Sequence, residues 1–575
     1  MRAHGAPIVL AFVLGCGSSQ VESPAPKPAS SSAPVAKPAP PPKSPTTKED
    51  FIAVFSAYGP GHEAEVTTAV KTLLEKADQP AFHGDEALGR AVLLGLGRVN
   101  FADPKSRQLG LLFGDLLGAL APKGIAKELV AIVSRPNAGG HGVAVKQLTM
   151  LQVVVAEVLG VVGDASVVPA MVDRMFVLAA TLTSRMDPTT GDERVVASSL
   201  TMAVARMLGG SLARIGAPCI PVLVPYVKAD LGDPRVKAVA ELFAGYVSEG
   251  GGARPEFYAE LATIVLADVG LPELAVQLAA TVKDKATKDD VRRRLLGLLV
   301  DLPPTAPVLD AIREGFAATV SPKQRVLVAT STSRTMSPAM TGWLLGIATA
   351  KGASTDLADA ALGSATWLAT KADFPAVTKA YGKQGLARRD PLWTTLEATS
   401  TPCDPKTIKD PQQKDLCDES PEGGGRVLFK NVTPTVAEVH AQIAQVLACD
   451  KDAQCYLAEL KKSAAVVDKM GFTRVTLVGT VAMIRAQKAF WMLATFGAEA
   501  DLVVLVEFFP SIQSPALRSF GQLTLDHNLA AGTKVAAAIE GLVKKLRTEG
   551  SEIAQREAAQ LGPIARKLRT RAKNP

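Results

Sequence analysis

Apolar segments of helical length, about 12 to 18 residues each, follow one another along most of this chain and are separated by clusters of Gly, Pro and Asp. Within residues 236–247 the apolar side chains recur at spacings of three and four, the period of an amphipathic helix. Aromatic residues make up only 5% of the chain, whereas β-sandwich cores usually contain more aromatic and Thr residues. The pattern therefore predicts an all-α body.

A local pattern recurs in residues 158–172, 212–227 and 493–506. Each stretch contains a helix end, a Gly-centred turn, a small or acidic residue and then an apolar helix. We expect the central glycine to adopt the positive φ that ends the first helix. An Asp followed by a basic residue beside an aliphatic one occurs in Asp233-Pro234-Arg235-Val236-Lys237 and in Asp290-Val291-Arg292. Together these features resemble HEAT repeats.

The resemblance implies an α-α superhelix of the HEAT or armadillo-like type, in which antiparallel helix pairs stack into a solenoid. One such pair cannot bury its apolar face alone, so neighbours must cover it, and the stack exposes a long groove. The spacing of the pattern is irregular, and a nonrepetitive helical bundle is the alternative.

The first residues have the features of an export signal. Residues 1–15 combine Arg2 with a short apolar run, which is too short to cross a bilayer as a stable helix. The run ends in Val13-Leu14-Gly15-Cys16, which resembles the lipobox of bacterial lipoproteins. The resemblance implies cleavage before Cys16 and acyl chains on its thiol, which hold the protein to a membrane. An ordinary secretory signal is the alternative, and Gly17 resembles the outer-membrane class, which faces the periplasm or the cell surface.

Composition divides the remainder of the chain. Residues 16–48, after the lipidated cysteine, are almost all Pro, Ala, Ser and Lys, and this composition predicts a disordered linker. We expect an N-terminal helical-repeat array over 49–400, an irregular Cys-containing insertion over 401–430, and a C-terminal helical-repeat segment over 431–575.

The formal net charge of +7 is concentrated at the C-terminus. Residues 534–575 contain ten Lys or Arg and four Asp or Glu. Because the chain is expected to be exported, this basic tail does not predict binding to nucleic acid. It predicts either a weak contact with an anionic envelope polymer or a solvated last helix whose cations complement its own dipole.

Five cysteines follow Cys16. The spacing favours local disulfides between Cys403 and Cys417 and between Cys449 and Cys455, although other connectivities stay open. Zinc is the less favoured alternative, because neither pair has C-x-x-C spacing. Cys219 lies among apolar residues and is expected to be a buried free thiol.

No catalytic or nucleotide-binding motif occurs in the sequence, so we expect no enzymatic activity, cofactor or metal. The body contains five widely separated histidines: His62, His83, His141, His440 and His527. It also contains four scattered tryptophans: Trp343, Trp367, Trp393 and Trp491. Core packing is the default expectation for the tryptophans, and one of them could anchor a partner.

These features predict a membrane-anchored helical-repeat scaffold that binds unidentified proteins of the bacterial cell envelope. One alternative is a structural spacer that contacts peptidoglycan or lipopolysaccharide. The other is a HEAT-like lyase or hydrolase.

Overall fold

The computed structural model describes residues 45–136, 143–181, 191–245, 254–382, 434–470, 477–549 and 552–573. The chain divides into two compact units, residues 1–123 and 124–575. Within the described ranges the regular structure is helical and no β-strand occurs. The predicted signal and insertion and residues 16–44 of the predicted linker lie outside the described residues, as do Cys403, Cys417, His141 and Trp393. Helix α1 begins at Lys48, the last residue of the predicted linker.

The described residues of the first unit, 45–123, contain four α-helices. They are α1 (Lys48–Ala57), α2 (Glu63–Leu74), α3 (Glu86–Gly97) and α4 (Pro104–Leu120). Helices next but one in sequence pack together, α1 on α3 and α2 on α4. Aromatic rings fill their core: Phe55 meets Phe113 edge-on at 5.8 Å between centroids, and Phe51 meets Phe82 at 6.0 Å.

The described residues of the second unit up to residue 382 contain fourteen α-helices. They are α5 (Ala126–Val133), α6 (Val143–Val162), α7 (Val168–Thr181), α8 (Gly191–Ile215), α9 (Ile220–Lys228), α10 (Pro234–Phe243), α11 (Phe257–Val269), α12 (Glu273–Lys283), α13 (Asp289–Leu299), α14 (Ala306–Ala318), α15 (Pro322–Ser331), α16 (Thr341–Thr349), α17 (Thr355–Leu368) and α18 (Phe374–Gly382). Seven more follow residue 433. They are α19 (Val436–Leu447), α20 (Ala453–Met470), α21 (Leu477–Phe496), α22 (Glu499–Phe508), α23 (Pro515–His527), α24 (Thr533–Glu549) and α25 (Glu552–Lys573).

Stacking of neighbouring helices repeats along the second unit. Most helices pack on helices one or two places away along the chain, as α12 does on α13 and α14 and α21 does on α20 and α23. This arrangement buries faces that single hairpins would leave in water. The prediction of an all-α fold of stacked helix pairs is confirmed.

An arginine at the fourth helical position recurs in both units. Its Nε donates to a carbonyl oxygen of the preceding segment: Arg107 to Phe101 (3.1 Å), Arg292 to Val282 (3.0 Å), Arg325 to Thr319 (2.7 Å) and Arg518 to Ile512 (2.5 Å). Three of these helices begin with an Asp or Ser cap and a proline, in residues 103–107, 321–325 and 514–518. This (Asp/Ser)-Pro-x-x-Arg pattern is visible in the sequence, and its arginine ties each of these helices to the preceding segment.

The expectation that all three turn glycines have positive φ is wrong for two of them. Gly216 has a φ of 80°, but Gly163 and Gly497 are not among the glycines with positive φ. A Cβ on Gly163 would lie 2.3 Å from the carbonyl oxygen of Leu159, and one on Gly497 would lie 2.6 Å from that of Leu493. Close approach, and not a left-handed turn, therefore requires glycine at these two positions.

The helices of the second unit form two rows, and the second row, α19–α25, returns along the first. Trp491 Nε1 donates to the carbonyl oxygen of Ser333 at 2.9 Å, and His527 Nε2 lies 3.4 Å from that of Val300. Further along, Lys567 lies against Gly270, and α25 packs on α8. As the return row advances, its contacts therefore move back toward the start of the first row.

Helix α17 is the most enclosed helix of the first row, and Lys488 of the return row closes its end. Residues 360–368 are all buried. The Nζ of the fully buried Lys488 donates to the carbonyl oxygens of Trp367 at 2.7 Å and Ala369 at 2.6 Å. Lys488 therefore caps α17 from another helix, supplying donors that the last carbonyls of a helix otherwise lack.

One described helix, residues 144–162, is long and apolar enough to cross a membrane, with a mean hydropathy of 1.6. A bent pair, residues 203–215 and 217–228, would add a second span if counted as one. Helix α6 packs along α8 and α5, and its Gln152 Nε2 donates to the carbonyl oxygens of Val133 at 3.1 Å and Arg135 at 2.9 Å. These contacts are those of a core helix.

Candidate interaction surface

Helix α16 presents an uncharged and partly exposed face. No residue from Thr341 to Thr349 is charged. Thr341, Leu344 and Ala348 point into the core, while Trp343 is partly exposed. Gly342 and Gly346 are exposed, and an added Cβ at either would find nothing within 4 Å. The face is therefore flat beside the indole ring.

The Trp343 ring is held from one side. It meets the Phe316 ring edge-on, with centroids 5.2 Å apart and planes at 83°. The guanidinium of Arg325 lies 5.5 Å from the centroid of Phe316, a cation–π contact. On the same side Arg313 donates from Nη2 to the carbonyl oxygen of Ala339 at 3.0 Å, just before α16 begins. We call Arg313, Phe316, Arg325 and Trp343 the Trp343 face.

The other described tryptophans match the core-packing expectation. Trp367 is 0% exposed and Trp491 is 3% exposed, and their rings lie 6.3 Å apart between the two rows. The indole N–H of Trp491 has its carbonyl acceptor in Ser333. Within the described ranges neither the indole N–H of Trp343 nor that of Trp367 has an acceptor in the protein. Trp343 differs in that its ring is partly exposed.

The predicted disulfide between Cys449 and Cys455 is present in the structure, with an S–S distance of 2.00 Å. It joins the end of α19 to the start of α20, so zinc does not apply to this pair. The pairing of Cys403 with Cys417 stays a prediction. Cys219 is a buried free thiol, as expected, and burial raises its pKa to about 12.

His440 is a buried packing residue on α19. Its Nε2 lies 3.2 Å from Thr366 Oγ1, and its ring packs against Phe374 at 5.1 Å and Tyr381 at 4.9 Å. Burial lowers the pKa of His440 to about 4. The imidazole is therefore neutral at neutral pH and joins α19 to the end of the first row.

His527 and Asp526 lie between the two rows and do not form a catalytic pair. Both ring nitrogens of His527 face carbonyl oxygens, Nδ1 that of Leu523 at 3.0 Å and Nε2 that of Val300. Asp526 accepts from Lys567 Nζ at 3.0 Å and lies 3.4 Å from Arg571 Nη2. Burial acts against ionisation, but these two cations hold the pKa of Asp526 below its ordinary value.

Part of the basic tail is used inside the fold. Lys567 and Arg571 pair with Asp526, and Arg569 forms two hydrogen bonds to Glu540, at 2.7 and 2.6 Å. Lys544 and Lys545 are exposed. The tail therefore offers less free positive charge to an envelope polymer than its composition suggests.

Two cavities adjoin the last helix. An open cleft of about 440 Å³ between α24 and α25 is lined by Glu540, Val543, Lys544, Thr548, Gly562, Ala565 and Arg566. A pocket of about 20 Å³ lies beside Arg214, Asp268 and Lys567, room for about one water molecule. Neither contains a cluster of carboxylates. Among the residues that the structure describes, no three His, Cys, Asp or Glu side chains group closely enough to hold a metal ion.

Sequence reasoning missed Lys488, although the helical period signals it. Ile484, Trp491 and Met492 lie four residues before, three after and four after Lys488, and all three are buried. A lysine in this apolar stripe must be buried as well, and a buried ammonium requires acceptors.

No model of a known protein family matches the chain, and no curated protein sequence does. Among solved structures, a Kap121p mutant is similar with a TM-score of 0.30 and 12% identity over 89% of this chain, which spans 57% of that protein. An engineered protein is similar with a TM-score of 0.19 and 14% identity, covering 86% of this chain and 98% of its own. Both scores are low, so the fold description rests on the helix contacts given above.

Proposed function

We propose that this chain is a lipid-anchored scaffold of the bacterial cell envelope, which binds another protein through the Trp343 face. The observation that carries the binding role is the position of Trp343. Its ring is partly exposed on an uncharged helix, while Trp367 and Trp491 are buried. Aromatic anchors in shallow apolar surfaces are typical of protein interfaces.

The stacked rows support a scaffold because they hold this face rigidly. Buried hydrogen bonds such as those of Lys488 and Trp491 join one row to the other. A preorganised surface loses little conformational entropy when a partner binds.

The tether rests on the sequence alone. Val13-Leu14-Gly15-Cys16 supports lipidation, and the Pro-rich residues up to 48 support an extended spacer between lipid and body. The enzyme alternative has no supporting cavity among those described. The spacer alternative is weakened because Lys567, Arg569 and Arg571 pair within the fold.

The tether is tested by metabolic labelling with a radioactive fatty acid in a bacterial host, followed by fractionation. We expect the native chain to carry the label and to stay with membranes after a high-salt wash. Cys16→Ser should lose the label and appear in the soluble fraction.

Cys219→Ser is the matched control, because it removes a buried thiol and should keep both label and membrane association. The proposal fails if Cys16→Ser still fractionates with membranes after the wash.

A further inference from the structure

We propose that the joint where the return row begins is an acid-sensitive switch, in which protonation of His440 beside the buried ammonium of Lys488 releases α19 from α17 and α18. The inference goes beyond the proposed binding role and does not depend on it. It follows from two buried basic groups that meet at one residue, Thr366, and from the lack of a compensating acid among the described residues.

Thr366 contacts both basic groups. Its carbonyl oxygen is 3.5 Å from Lys488 Nζ, and its hydroxyl oxygen is 3.2 Å from His440 Nε2. The Thr366 hydroxyl already donates to the carbonyl oxygen of Leu362 at 2.9 Å. It can therefore only accept from His440, which fixes the proton of the neutral imidazole on Nε2. The other ring nitrogen, Nδ1, faces the hydroxyl of Thr378 at 3.5 Å, a contact too long to stabilise an added proton strongly.

Lys488 carries a positive charge in acid. Its fully buried Nζ faces three backbone carbonyl oxygens at the end of α17, at 3.5, 2.7 and 2.6 Å, and these match the three donors of an ammonium group. Burial lowers the pKa of Lys488 to about 7, with Asp373 acting in the other direction. Below neutral pH, a proton on His440 would therefore place a second positive charge beside the first. Like charges in a buried site repel strongly because little water screens them.

No described acid offsets a charge on His440. Burial alone lowers the pKa of its imidazole to about 4, and the ring packs on those of Phe374 and Tyr381. The other charged groups near this joint are exposed or paired: Asp373 accepts from Thr370, Lys371 lies 3.7 Å from Asp450, Glu438 closes the capping box of Thr435, Arg485 pairs with Glu459, and Lys379 is exposed. An imidazolium here is stabilised by reaching water, which requires α19 to separate from α17 and α18.

Amide hydrogen exchange read by mass spectrometry tests the release, on the full chain carrying Cys16→Ser. After correction for the intrinsic effect of pH on exchange, we expect the protection of residues 436–447 to fall at least about tenfold between about pH 7 and about pH 4.5. Residues 273–283 of α12, in the same unit, should keep their protection, which separates release of the joint from global unfolding. His440→Gln is the matched control, because it keeps a donor for Thr366 but cannot titrate, and it should lose less than about twofold.

The coupling between the two groups is tested by the titration of His440 in Lys488→Met, which removes the neighbouring charge. Hydrogen exchange at the imidazole C2 carbon, read at each histidine by mass spectrometry, gives the titration midpoint. We expect this midpoint to rise by at least about one pH unit in Lys488→Met and to stay unchanged in Lys462→Met, on the exposed side of α20. Lys488→Gln, which keeps two N–H donors, replaces Lys488→Met if circular dichroism shows that the latter does not fold.

The inference is overturned if α19 keeps its protection in acid, or if His440→Gln loses as much protection as the native chain. A His440 midpoint that is unchanged by removal of the Lys488 charge would also overturn it, because the two groups would then titrate independently.

Discussion

Single buried polar residues hold the two rows of the second unit together. Lys488 caps α17 and His440 joins α19 to α17. Each of these groups would destabilise the folded state if its partners were absent. A buried polar atom gives up its hydrogen bonds to water, and without a partner in the protein nothing replaces them. A small number of buried polar residues therefore helps to fix how the two rows pack on each other.

Replacing Lys488 tests whether its cap on α17 stabilises the packing of the two rows. Lys488→Met keeps the volume but leaves the carbonyl oxygens of Trp367 and Ala369 buried without a donor. We expect a loss of at least about 2 kcal/mol in the free energy of unfolding, measured by urea titration. Lys462→Met is the control, because Lys462 is exposed on α20 of the same row. This substitution should change the free energy of unfolding by less than about 0.5 kcal/mol. Equal effects of the two substitutions would show that the cap contributes nothing.

His440 makes stability depend on pH in the acid range. Burial lowers its pKa to about 4 from an unfolded value of 6.5. The unfolded chain therefore binds a proton between these values that the folded chain does not, and stability is lost as the pH falls through this window. The full contribution is about 3 kcal/mol.

Urea titrations at pH 7.5 and pH 4.5 (about three units apart) measure this effect. We expect the native chain to lose more stability between these two pH values than the His440→Leu variant, because leucine cannot take up a proton. An identical loss in both proteins would contradict the account of His440.

At the residue scale, the sequence predicted the state of a side chain where its neighbours along the chain determine that state. The Cys449–Cys455 disulfide and the buried thiol of Cys219 both follow from local spacing and the apolar neighbours in the sequence. The role of Lys488 did not follow, because its acceptors lie 119 to 122 residues away.

At the scale of the elements, helix packing places opposite demands on two glycines in neighbouring helices. A Cβ on Gly315 of α14 would lie 2.2 Å from Val282 Cγ1 and 2.7 Å from Leu296 Cδ2. One on Gly297 of α13 would meet nothing within 4 Å. The first glycine allows two helices to approach closely, and the second has no such role.

We therefore expect substitutions of opposite sign at these two positions. Gly315→Ala should destabilise the protein by about 1–3 kcal/mol, because the added methyl group overpacks the contact between α12 and α14. Gly297→Ala should stabilise it by about 0.4–1 kcal/mol, since alanine restricts the unfolded chain and favours helix. Urea unfolding of both variants measures the signs, and a shared sign would contradict the packing described for α14.

Helix positions followed from the sequence more readily than helix ends. Apolar periodicity and the Gly, Pro and Asp clusters between segments predicted where helices lie. The turn glycines were misassigned at Gly163 and Gly497 because a glycine required for close approach looks the same in sequence as one required for positive φ. That distinction depends on which helix lies opposite.

At the scale of the whole second unit, the return of α19–α25 along the first row is the feature that the sequence did not predict. The repeat pattern describes contacts between neighbours, and it implied one row with a long groove. The contacts that join the rows connect distant residues, for example Val300 and His527, which are 227 positions apart along the chain. No local period encodes such a pairing. The Trp343 face was likewise not distinguished in advance from the other tryptophans.

Zero-length cross-linking with a carbodiimide, followed by mass spectrometry of the full chain, tests the two-row arrangement most directly. Lys371 Nζ lies 3.7 Å from Asp450 Oδ2, and Lys567 lines the same small pocket as Asp268. We expect cross-linked peptides that join 371 to 450 and 268 to 567. A chain in which Lys567 couples only within residues 434–573, with no peptide linking the two rows, would contradict the arrangement.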